Sequence, residues 1–387
     1  MADFIPYGRQ SVTEADIAAV VDVLKSDFLT QGPVVPAFED AVRSAVGARH
    51  AVAANSATSA LHVACMALGV GPGDSVWTSP LTFVASSNAA LYCGADVDFV
   101  DVDERSYNMC PVRLTDKLEA AAASGELPKV IIPVHLTGQS CDMAAIHAAA
   151  SRYGVKIIED ASHAIGGRFG PDPVGSCRYS DIAVFSFHPV KIVTTGEGGM
   201  ALTNDDELAR LMRLDRSHGI TRDAEMMHAD DPGAWYYEQQ RLGYNYRMTD
   251  INAALGFSQM GRLAEFIERR REIAQTYDAA FAAHPIQTPW QHPETASAWH
   301  LYVVRVAGRR AVFDALRDAG IGVNLHYIPV YLQPYYRDLG FEPGYCPNAE
   351  RYYSEAISLP MFPSMTAEQQ QRVIAEVTQA VAAAAAA

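Results

Sequence analysis

Short apolar runs alternate with amphipathic stretches through the first half of the chain. Runs of this length, bounded by glycines or polar residues, predict buried strands. The predicted strands are residues 50–54, 75–78, 97–100, 129–135, 155–160, 181–185 and 198–202. The helices predicted around them are residues 36–46, 55–68, 83–91, 114–122 and 143–153. This alternation predicts an α/β fold with a mostly parallel sheet that helices cover on both faces.

The two ends of the chain extend this pattern. Thr13 can cap an N-terminal helix, with Asp16 reaching back three residues. The apolar stripe of that helix is Ile17, Val20, Val21 and Leu24. A long helix, straight or bent, is predicted over residues 250–283, and we place the domain boundary on it. A large domain, 1–260, then precedes a small α+β domain, 261–387.

The small domain is predicted to contain strands and helices in turn. Its strands are residues 298–306 and 322–327, and its helices are residues 310–319, 349–357 and 366–384. Before it, the polar segment 223–240 is too long for a simple connection, so we expect an excursion over the surface or toward a partner subunit.

Candidate chemistry is concentrated on the loop after the strand 181–185. Lys191 lies there, two residues after Pro189 and shortly before a glycine-rich run at 196–199. A lone lysine on a loop is usually a solvated surface residue. Loops held by a rigid scaffold are also where catalytic groups concentrate. The proline and glycines, which fix the approach of the chain and permit close packing, favour the second interpretation.

A second candidate, Asp160, ends the strand 155–160. Ligands bind at the carboxyl ends of strands in parallel α/β sheets, so Asp160 and Lys191 are expected at one edge. Pyridoxal phosphate (PLP) needs such a pair, a lysine for its aldehyde and an acid for its ring nitrogen. The alternative for Asp160 is to cap a following helix. The small residues Asn-Ser-Ala-Thr-Ser-Ala at 55–60 open a helix whose N–H groups can bind phosphate, although such residues cap many helices.

Composition sets limits on function. The 387 residues are 49% hydrophobic and 19% charged, which is typical of a globular protein. The net charge of −15 argues against nucleic-acid binding, although a local phosphate site is compatible with it. The six cysteines lack Cys-x-x-Cys spacing, so we expect reduced core thiols and no metal site. Without a signal sequence or a membrane-spanning run, a cytoplasmic protein that does not bind membranes is predicted.

Three motifs together resemble the sugar aminotransferases of the DegT/DnrJ/StrS family. They are Glu-Asp-Ala-Ser-His-Ala at 159–164, Ser-Phe-His-Pro-Val-Lys at 186–191 and Thr-Thr-Gly-Glu-Gly-Gly at 194–199. The resemblance covers nearly the whole chain. Within the family, the segments 55–60, 186–191 and 326–330 are most similar to the pseudaminic acid branch. The resemblance implies a PLP-dependent transferase of fold type I and a homodimer with shared active sites.

The resemblance also implies roles for individual residues. Lys191 and Asp160 would be catalytic, with Lys191 joined to the cofactor and Asp160 under its ring nitrogen. The cofactor-binding residues would be Ala57, Thr58, Ser59, Phe83, Asp160, His163, Ser186, Lys191 and, from the partner subunit, Asn245. Ala57 stands where the family often has glycine, which preserves the backbone N–H. The substrate-binding residues would be Tyr7, Leu29, Thr30, Gln31, Gly32, His326, Tyr327, Ile328 and Pro329. His163 and Phe83 can also be explained as ordinary core residues.

In the implied reaction, L-glutamate donates its amino group to C4 of a nucleotide-linked 4-keto-6-deoxy sugar. The implied substrate is UDP-2-acetamido-2,6-dideoxy-β-L-arabino-hex-4-ulose, and the product is UDP-4-amino-4,6-dideoxy-N-acetyl-β-L-altrosamine. Another UDP- or TDP-linked keto sugar is the main alternative. A sugar dehydratase of this fold is disfavoured, because there a histidine replaces the lysine. A non-enzymatic ligand-binding relative is disfavoured by the complete set Asp160, Ser186 and Lys191.

Overall fold

The computed structural model describes residues 4–228 and 233–386 and is built around a seven-stranded sheet. The strands are β1 (His50–Ala54), β2 (Ser75–Thr78), β3 (Asp96–Phe99), β4 (Val130–Ile132), β5 (Lys156–Asp160), β6 (Ile182–Ser186) and β7 (Gly199–Thr203). Their order is β1-β7-β6-β5-β4-β2-β3. Strand β7 is antiparallel to both neighbours, and the pairs from β6 to β3 are parallel. The predicted mostly parallel sheet is therefore confirmed.

Helices cover both faces of this sheet. The large-domain helices are α1 (Glu14–Leu24), α2 (Val34–Val46), α3 (Ala57–Ala67), α4 (Ala85–Tyr92), α5 (Pro111–Ser124), α6 (Met143–Ser151), α7 (Asp206–Asp215) and α8 (Asp250–Met260). Successive residues of β1 pack into different cores: Ala51 and Ala53 face the cluster around Phe38, whereas Val52 and Ala54 face the cluster around α3. This follows from the two-residue repeat of a strand that is buried on both faces.

The remaining part of the chain forms a smaller α+β unit. Its helices are α9 (Leu263–Phe281), α10 (Arg309–Asp318), α11 (Pro334–Asp338), α12 (Pro347–Glu355) and α13 (Ala367–Ala386). Its strands β8 (Tyr302–Arg305) and β9 (Ala356–Leu359) pair antiparallel. Short two-residue ladders join Arg168–Phe169, Asp172–Pro173 and Thr295–Ala296, and also Ile220–Thr221 and Glu238–Gln239. None of the helices in the described residues is both long and apolar enough to cross a membrane.

Three predicted elements differ from the structure. The long helix over 250–283 is two helices, because residues 261 and 262 interrupt it between α8 and α9. The interruption coincides with the predicted boundary at 260/261, which itself stays a prediction. The predicted strand 322–327 is irregular and makes only an isolated bridge, between Asn324 and Ser358, because the chain beyond it turns to line a cavity. The helix predicted over 349–357 ends at Glu355, where β9 begins.

The apolar stripe of α1 does not face the core. Ile17 is 47% exposed and Leu24 is 54% exposed, whereas the buried residues of the helix are Asp16 and Val23. Asp16 is held by Arg262, whose Nη2 lies 2.6 Å from Oδ2. In the predicted excursion 223–240, residues 229–232 lie outside the described residues, and Trp235 is 77% exposed. These exposed apolar side chains are surfaces available for association.

Candidate active site

A cavity of about 990 Å³ lies at the carboxyl ends of β5 and β6. It brings together most of the residues predicted from the sequence. Those that line it are Tyr7, Ala57, Thr58, Ser59, Phe83, Asp160, His163, Ser186, Lys191, His326, Tyr327 and Ile328. Residues from both halves of the chain therefore meet at the edge of the sheet where parallel α/β folds bind ligands.

The other predicted residues do not line the cavity of their own chain. They are Leu29, Thr30, Gln31, Gly32, Asn245 and Pro329. The amide of Gly32 donates to Oδ2 of Asp250 at 2.7 Å, which ties the turn to the start of α8. Asn245 accepts a hydrogen bond on its carbonyl oxygen from the side chain of Asn55, at 3.4 Å. The structure thus holds these segments in place outside the cavity of their own chain.

Asp160 ends β5 with its side chain almost completely buried, at 4% exposure. Its Oδ1 accepts a hydrogen bond from the backbone N–H of Ser162 at 3.1 Å. Its Oδ2 accepts one from the hydroxyl of Ser86 at 2.5 Å. No helix begins after Asp160 among the described residues of this loop, so the alternative in which it caps a helix is wrong. The carboxylate instead opens into the cavity.

The neighbouring Glu159 points to the opposite face of β5 and anchors the end of the strand. Its Oε1 accepts from the hydroxyl of Ser180 at 2.5 Å, and its Oε2 lies 2.7 Å from Nε2 of His135. The amide of Cys141 donates to Nδ1 of His135 at 3.0 Å, so the ring proton is on Nε2 and is donated to Glu159. This buried network fixes the backbone from which Asp160 projects.

The start of α3 forms a second wall of the cavity. Ser56 caps the helix, accepting from the amide of Ser59 at 3.0 Å, and the Ser59 hydroxyl donates to Asn55 at 2.7 Å. The backbone N–H and the hydroxyl of Ser59 are therefore both used at the helix start, which does not favour its predicted contact with phosphate. The amides of Ala57 and Thr58 begin the helix, where backbone N–H groups lack a partner within it.

The approach of β7 to this helix start is unusually close. A Cβ added to Gly199 would lie 2.4 Å from the backbone nitrogen of Ala57 and 2.4 Å from the carbonyl oxygen of Ser56. Only glycine fits at that contact. The glycine-rich run that the sequence places after Lys191 therefore seats the helix start against the sheet.

Lys191 reaches the cavity from the loop between β6 and β7, where its amide donates to the carbonyl of His188 at 2.9 Å. Burial lowers the pKa of its amine from the ordinary 10.5 to about 8, and the negative charge of Asp160 partly opposes this effect. The alternative of a solvated surface lysine is wrong. An amine with such a pKa is partly neutral near physiological pH and can act as a nucleophile.

Histidines form the floor of the cavity. The amide of Thr137 donates to Nδ1 of His163 at 3.2 Å, and Nε2 lies 3.1 Å from the hydroxyl of Tyr327. Burial and the charge of Lys191 hold the pKa of His163 well below its usual value, so the ring is neutral and donates from Nε2. The ring of His300, which the sequence did not single out, lies 4.5 Å from that of His163, and burial lowers its pKa too.

Two further residues were missed in the sequence, Thr82 and Ser86. Their hydroxyls lie 2.7 Å apart, and both side chains are buried beside Asp160. They flank Phe83, which is 61% exposed at the cavity wall. A signal was present, because hydroxyl residues around the start of a helix that follows a parallel strand lie at the ligand-binding edge.

These residues fit PLP. The helix start and Ser186 offer donors to a phosphate, Lys191 is an amine with a lowered pKa for an aldehyde, and Asp160 is a carboxylate for a ring nitrogen. The close seating of α3 on Gly199 fixes the start of the helix, with Ala57 and Thr58, at the cavity.

Comparison with known proteins supports the same conclusion. The sequence profile of the DegT/DnrJ/EryC1/StrS aminotransferase family matches residues 10–378. The chain is 41% identical to the spore coat polysaccharide biosynthesis protein SpsC of Bacillus subtilis (strain 168), over 98% of this chain and 97% of SpsC.

Solved structures are similar over the same length. Spr1654 from Streptococcus pneumoniae, in its PLP form, has a TM-score of 0.89 at 30% identity and covers 98% of this chain and 99% of its own. PseC of Helicobacter pylori, an aminotransferase involved in pseudaminic acid biosynthesis, has a TM-score of 0.90 at 29% identity and covers 98% and 100%. The chain therefore belongs to the DegT/DnrJ/EryC1/StrS aminotransferase family and is a PLP-dependent sugar aminotransferase of fold type I.

Proposed function

We propose that the chain transfers the amino group of L-glutamate to C4 of UDP-2-acetamido-2,6-dideoxy-β-L-arabino-hex-4-ulose. The product would be UDP-4-amino-4,6-dideoxy-N-acetyl-β-L-altrosamine, an intermediate toward pseudaminic acid. The observation that carries the chemistry is the single cavity into which Lys191 and Asp160 both open. The choice of sugar is supported by the motifs at 55–60, 186–191 and 326–330 and by the similarity to PseC.

Each residue of the cavity has a proposed task. PLP, when bound, supplies an aldehyde carbon for the amino group and a protonated ring that stabilises the carbanion. The amides of Ala57 and Thr58 and the hydroxyl of Ser186 hold its phosphate, and Phe83 covers one face of its ring. Asp160 keeps the ring nitrogen protonated, because opposite charges stabilise each other.

Lys191 is the proposed acid and base. With PLP bound, its amine would hold the aldehyde carbon of the cofactor. As a free amine, Lys191 would take the proton from Cα of glutamate and give a proton to C4 of the sugar. Its lowered pKa, about 8, suits both directions of proton transfer near neutral pH.

His163 and Tyr327 are proposed to act together on the phenolic oxygen of the cofactor. His163 uses Nε2–H toward Tyr327, so the hydroxyl proton of Tyr327 is available for donation into the cavity. Tyr7, His326, Tyr327 and Ile328 would line the sugar-nucleotide part of the same cavity.

We propose a homodimer in which each chain completes the site of the other. The segments expected to contact substrate or cofactor in the partner's site are Asn245 and the turn 29–32, with Pro329 beside the sugar pocket. Support comes from the exposed apolar face of α1 and from Phe257 on α8, 49% exposed, because α1 packs on α8. We place this enzyme in the cytoplasm, with its nucleotide-sugar substrate.

A second candidate is an aminotransferase for another UDP- or TDP-linked keto sugar. The 41% identity to SpsC favours it, since that relative is named for spore coat polysaccharide biosynthesis. Both candidates use the same site chemistry and differ only in how the pocket fits the sugar.

A half-reaction assay tests the proposal. The enzyme is first converted with L-glutamate to the form that carries the amino group on the cofactor, and UDP- or TDP-linked 4-keto sugars are then added singly. The proposed substrate should restore the PLP spectrum fastest, and NMR of the product should place the amine at C4. The matching 4-hydroxy sugar and the Lys191→Ala variant are controls that should give no change.

The outcomes separate the candidates. Faster conversion of a different keto sugar would refute the proposed substrate while leaving the aminotransferase intact. Failure of every keto sugar, with L-glutamate still converting the cofactor, would exclude sugar-nucleotide amination.

A further inference from the structure

Two hydroxyl groups behind Asp160 form a directed chain of hydrogen bonds. Ser86, in the first turn of α4, donates to Oδ2 of Asp160 at 2.5 Å, whereas the carbonyl oxygen of Phe83 is 3.5 Å from the same hydroxyl. The shorter distance and the negative charge assign the Ser86 proton to the carboxylate. The proton between Ser86 and Thr82, 2.7 Å apart, must then come from Thr82.

These hydrogen bonds leave each oxygen of the Asp160 carboxylate with one free acceptor position. Oδ1 accepts from the amide of Ser162, and Oδ2 accepts from Ser86. A carboxylate oxygen has two lone pairs, so each oxygen keeps one for another donor. Because Ser86 and Asp160 are both buried, water competes little for these bonds. The orientation of the carboxylate is therefore set by protein donors.

We propose that Ser86, supported by Thr82, is a positioning residue that aims Asp160 at the ring nitrogen of PLP and sets how fully that nitrogen is protonated. The inference rests on the proposed role of Asp160. Phe83, the residue proposed to cover the ring, lies between the two hydroxyl residues in sequence and lines the same cavity. One short segment thus controls both the face of the ring and its proton.

Removal of the Ser86 hydroxyl should have two consequences. The carboxylate loses a charge-assisted hydrogen bond, so its negative charge is less stabilised and it takes a larger share of the proton. It also becomes free to rotate away from the ring. A less protonated ring withdraws electrons less strongly, and the amino-transfer half-reaction should slow by about 10- to 100-fold.

The direct measurement is nitrogen NMR of the holoenzyme carrying PLP labelled with ¹⁵N in the ring. In Ser86→Ala, the ring resonance should move from the protonated toward the unprotonated position. Ser86→Thr, which keeps a hydroxyl, should restore the wild-type position. Ser87→Ala is the matched control, because Ser87 is the next residue of α4 but bonds to the hydroxyl of Tyr336 at 2.6 Å. In this variant the resonance of the PLP ring nitrogen should not move.

The Asp160→Asn variant separates the proposed positioning role of Ser86 from the proposed role of Asp160 on which it rests. If Asp160→Asn shifts the resonance and Ser86→Ala does not, Asp160 keeps its role and the positioning role of Ser86 is refuted. If the ring stays fully protonated in Asp160→Asn, the role of Asp160 is itself refuted, and that of Ser86 falls with it. Alanine is well tolerated in helices, so Ser86→Ala should fold, and equal melting temperatures for the Ser86 and Ser87 variants would verify this.

Discussion

The imidazole of His163 lies 3.1 Å from the hydroxyl of Tyr327, although the two residues are 164 positions apart in the sequence. The contact joins the loop after β5 to the irregular segment that precedes α11, and the two rings are stacked with their centroids 6.0 Å apart. Because Nδ1 of His163 accepts from the amide of Thr137, the imidazole must donate to Tyr327. The large and small units of the chain are thus connected at the floor of the cavity.

Tyr327→Phe tests this connection. The change removes the acceptor of the His163 proton and the hydroxyl proposed to face the cofactor. We expect PLP affinity to fall by about 2- to 10-fold, the effect of one lost neutral hydrogen bond. Spectroscopic titration of the apoenzyme with PLP measures it. Tyr335→Phe, at a tyrosine 60% exposed outside the cavity, is the control; equal affinity in both variants would contradict the prediction.

The lowered pKa of Lys191 predicts the pH dependence of cofactor attachment. Only the neutral amine reacts with an aldehyde, so the rate at which apoenzyme takes up PLP should rise with pH to a midpoint of about 8. At that pH about half of the amines are neutral, against less than about 1% for an ordinary lysine. Stopped-flow absorbance measures the rate.

The Asp160→Asn variant tests in which direction Asp160 shifts the pKa of Lys191, using the same measurement of PLP uptake against pH. The charge of Asp160 raises the pKa of Lys191, so its removal should move the midpoint to lower pH. A wild-type midpoint near 10.5 would show that the amine is not desolvated. Borohydride treatment of the wild-type holoenzyme should fix the cofactor to the peptide that contains Lys191, and mass spectrometry identifies that peptide.

Gly199→Ala should loosen the phosphate site. The new Cβ would lie 2.4 Å from backbone atoms at the start of α3, so the helix must shift. We expect a loss of about 1–3 kcal/mol in the free energy of unfolding, together with weaker PLP binding. Gly71→Ala is the control, since nothing lies within 4 Å of its added Cβ. Unchanged stability and affinity in Gly199→Ala would contradict the close seating of the helix.

Subunit complementation tests the shared site. Lys191→Ala and Asn245→Ala should each be poorly active, Asn245→Ala because its amide is proposed to donate to the phosphate in the partner, at about 1.5–3 kcal/mol. In a mixed dimer, the site with an intact Lys191 receives an intact Asn245 from the other chain. An equal mixture should recover about one quarter of wild-type activity, since half the dimers are mixed and each has one complete site.

The control for complementation is subunit exchange itself, followed with differently tagged chains. If the sites are not shared, each mixed dimer keeps both defects in separate sites. No recovery after complete exchange would then assign Asn245 to an ordinary structural role before α8.

The α/β architecture and the centre of the site could be predicted from the amino-acid sequence alone. Strand–helix alternation is a local property of hydrophobic spacing, so the seven strands of the sheet were predicted within a few residues. Lys191 and Asp160 could be identified because each follows or ends such a strand. The predictions for segment 322–327 and for strand β9 were wrong. The bridge between Asn324 and Ser358 and the pairing of β9 with β8 both depend on residues far apart in the sequence, which local patterns do not report.

The groups that surround Lys191 and Asp160, by contrast, are brought there by long-range contacts of the fold. The hydroxyl of Ser86 donates a hydrogen bond to Asp160, which is 74 positions away in the sequence. The imidazole of His163 donates one to Tyr327, which belongs to the smaller unit of the chain. The apolar stripe of α1 carried the pattern of a core helix, yet buried Asp16 turns that stripe outward by bonding to Arg262 and Ser258. Hydrophobic spacing specifies that a face must be covered, whereas the identity of what covers it depends on contacts that no local pattern contains.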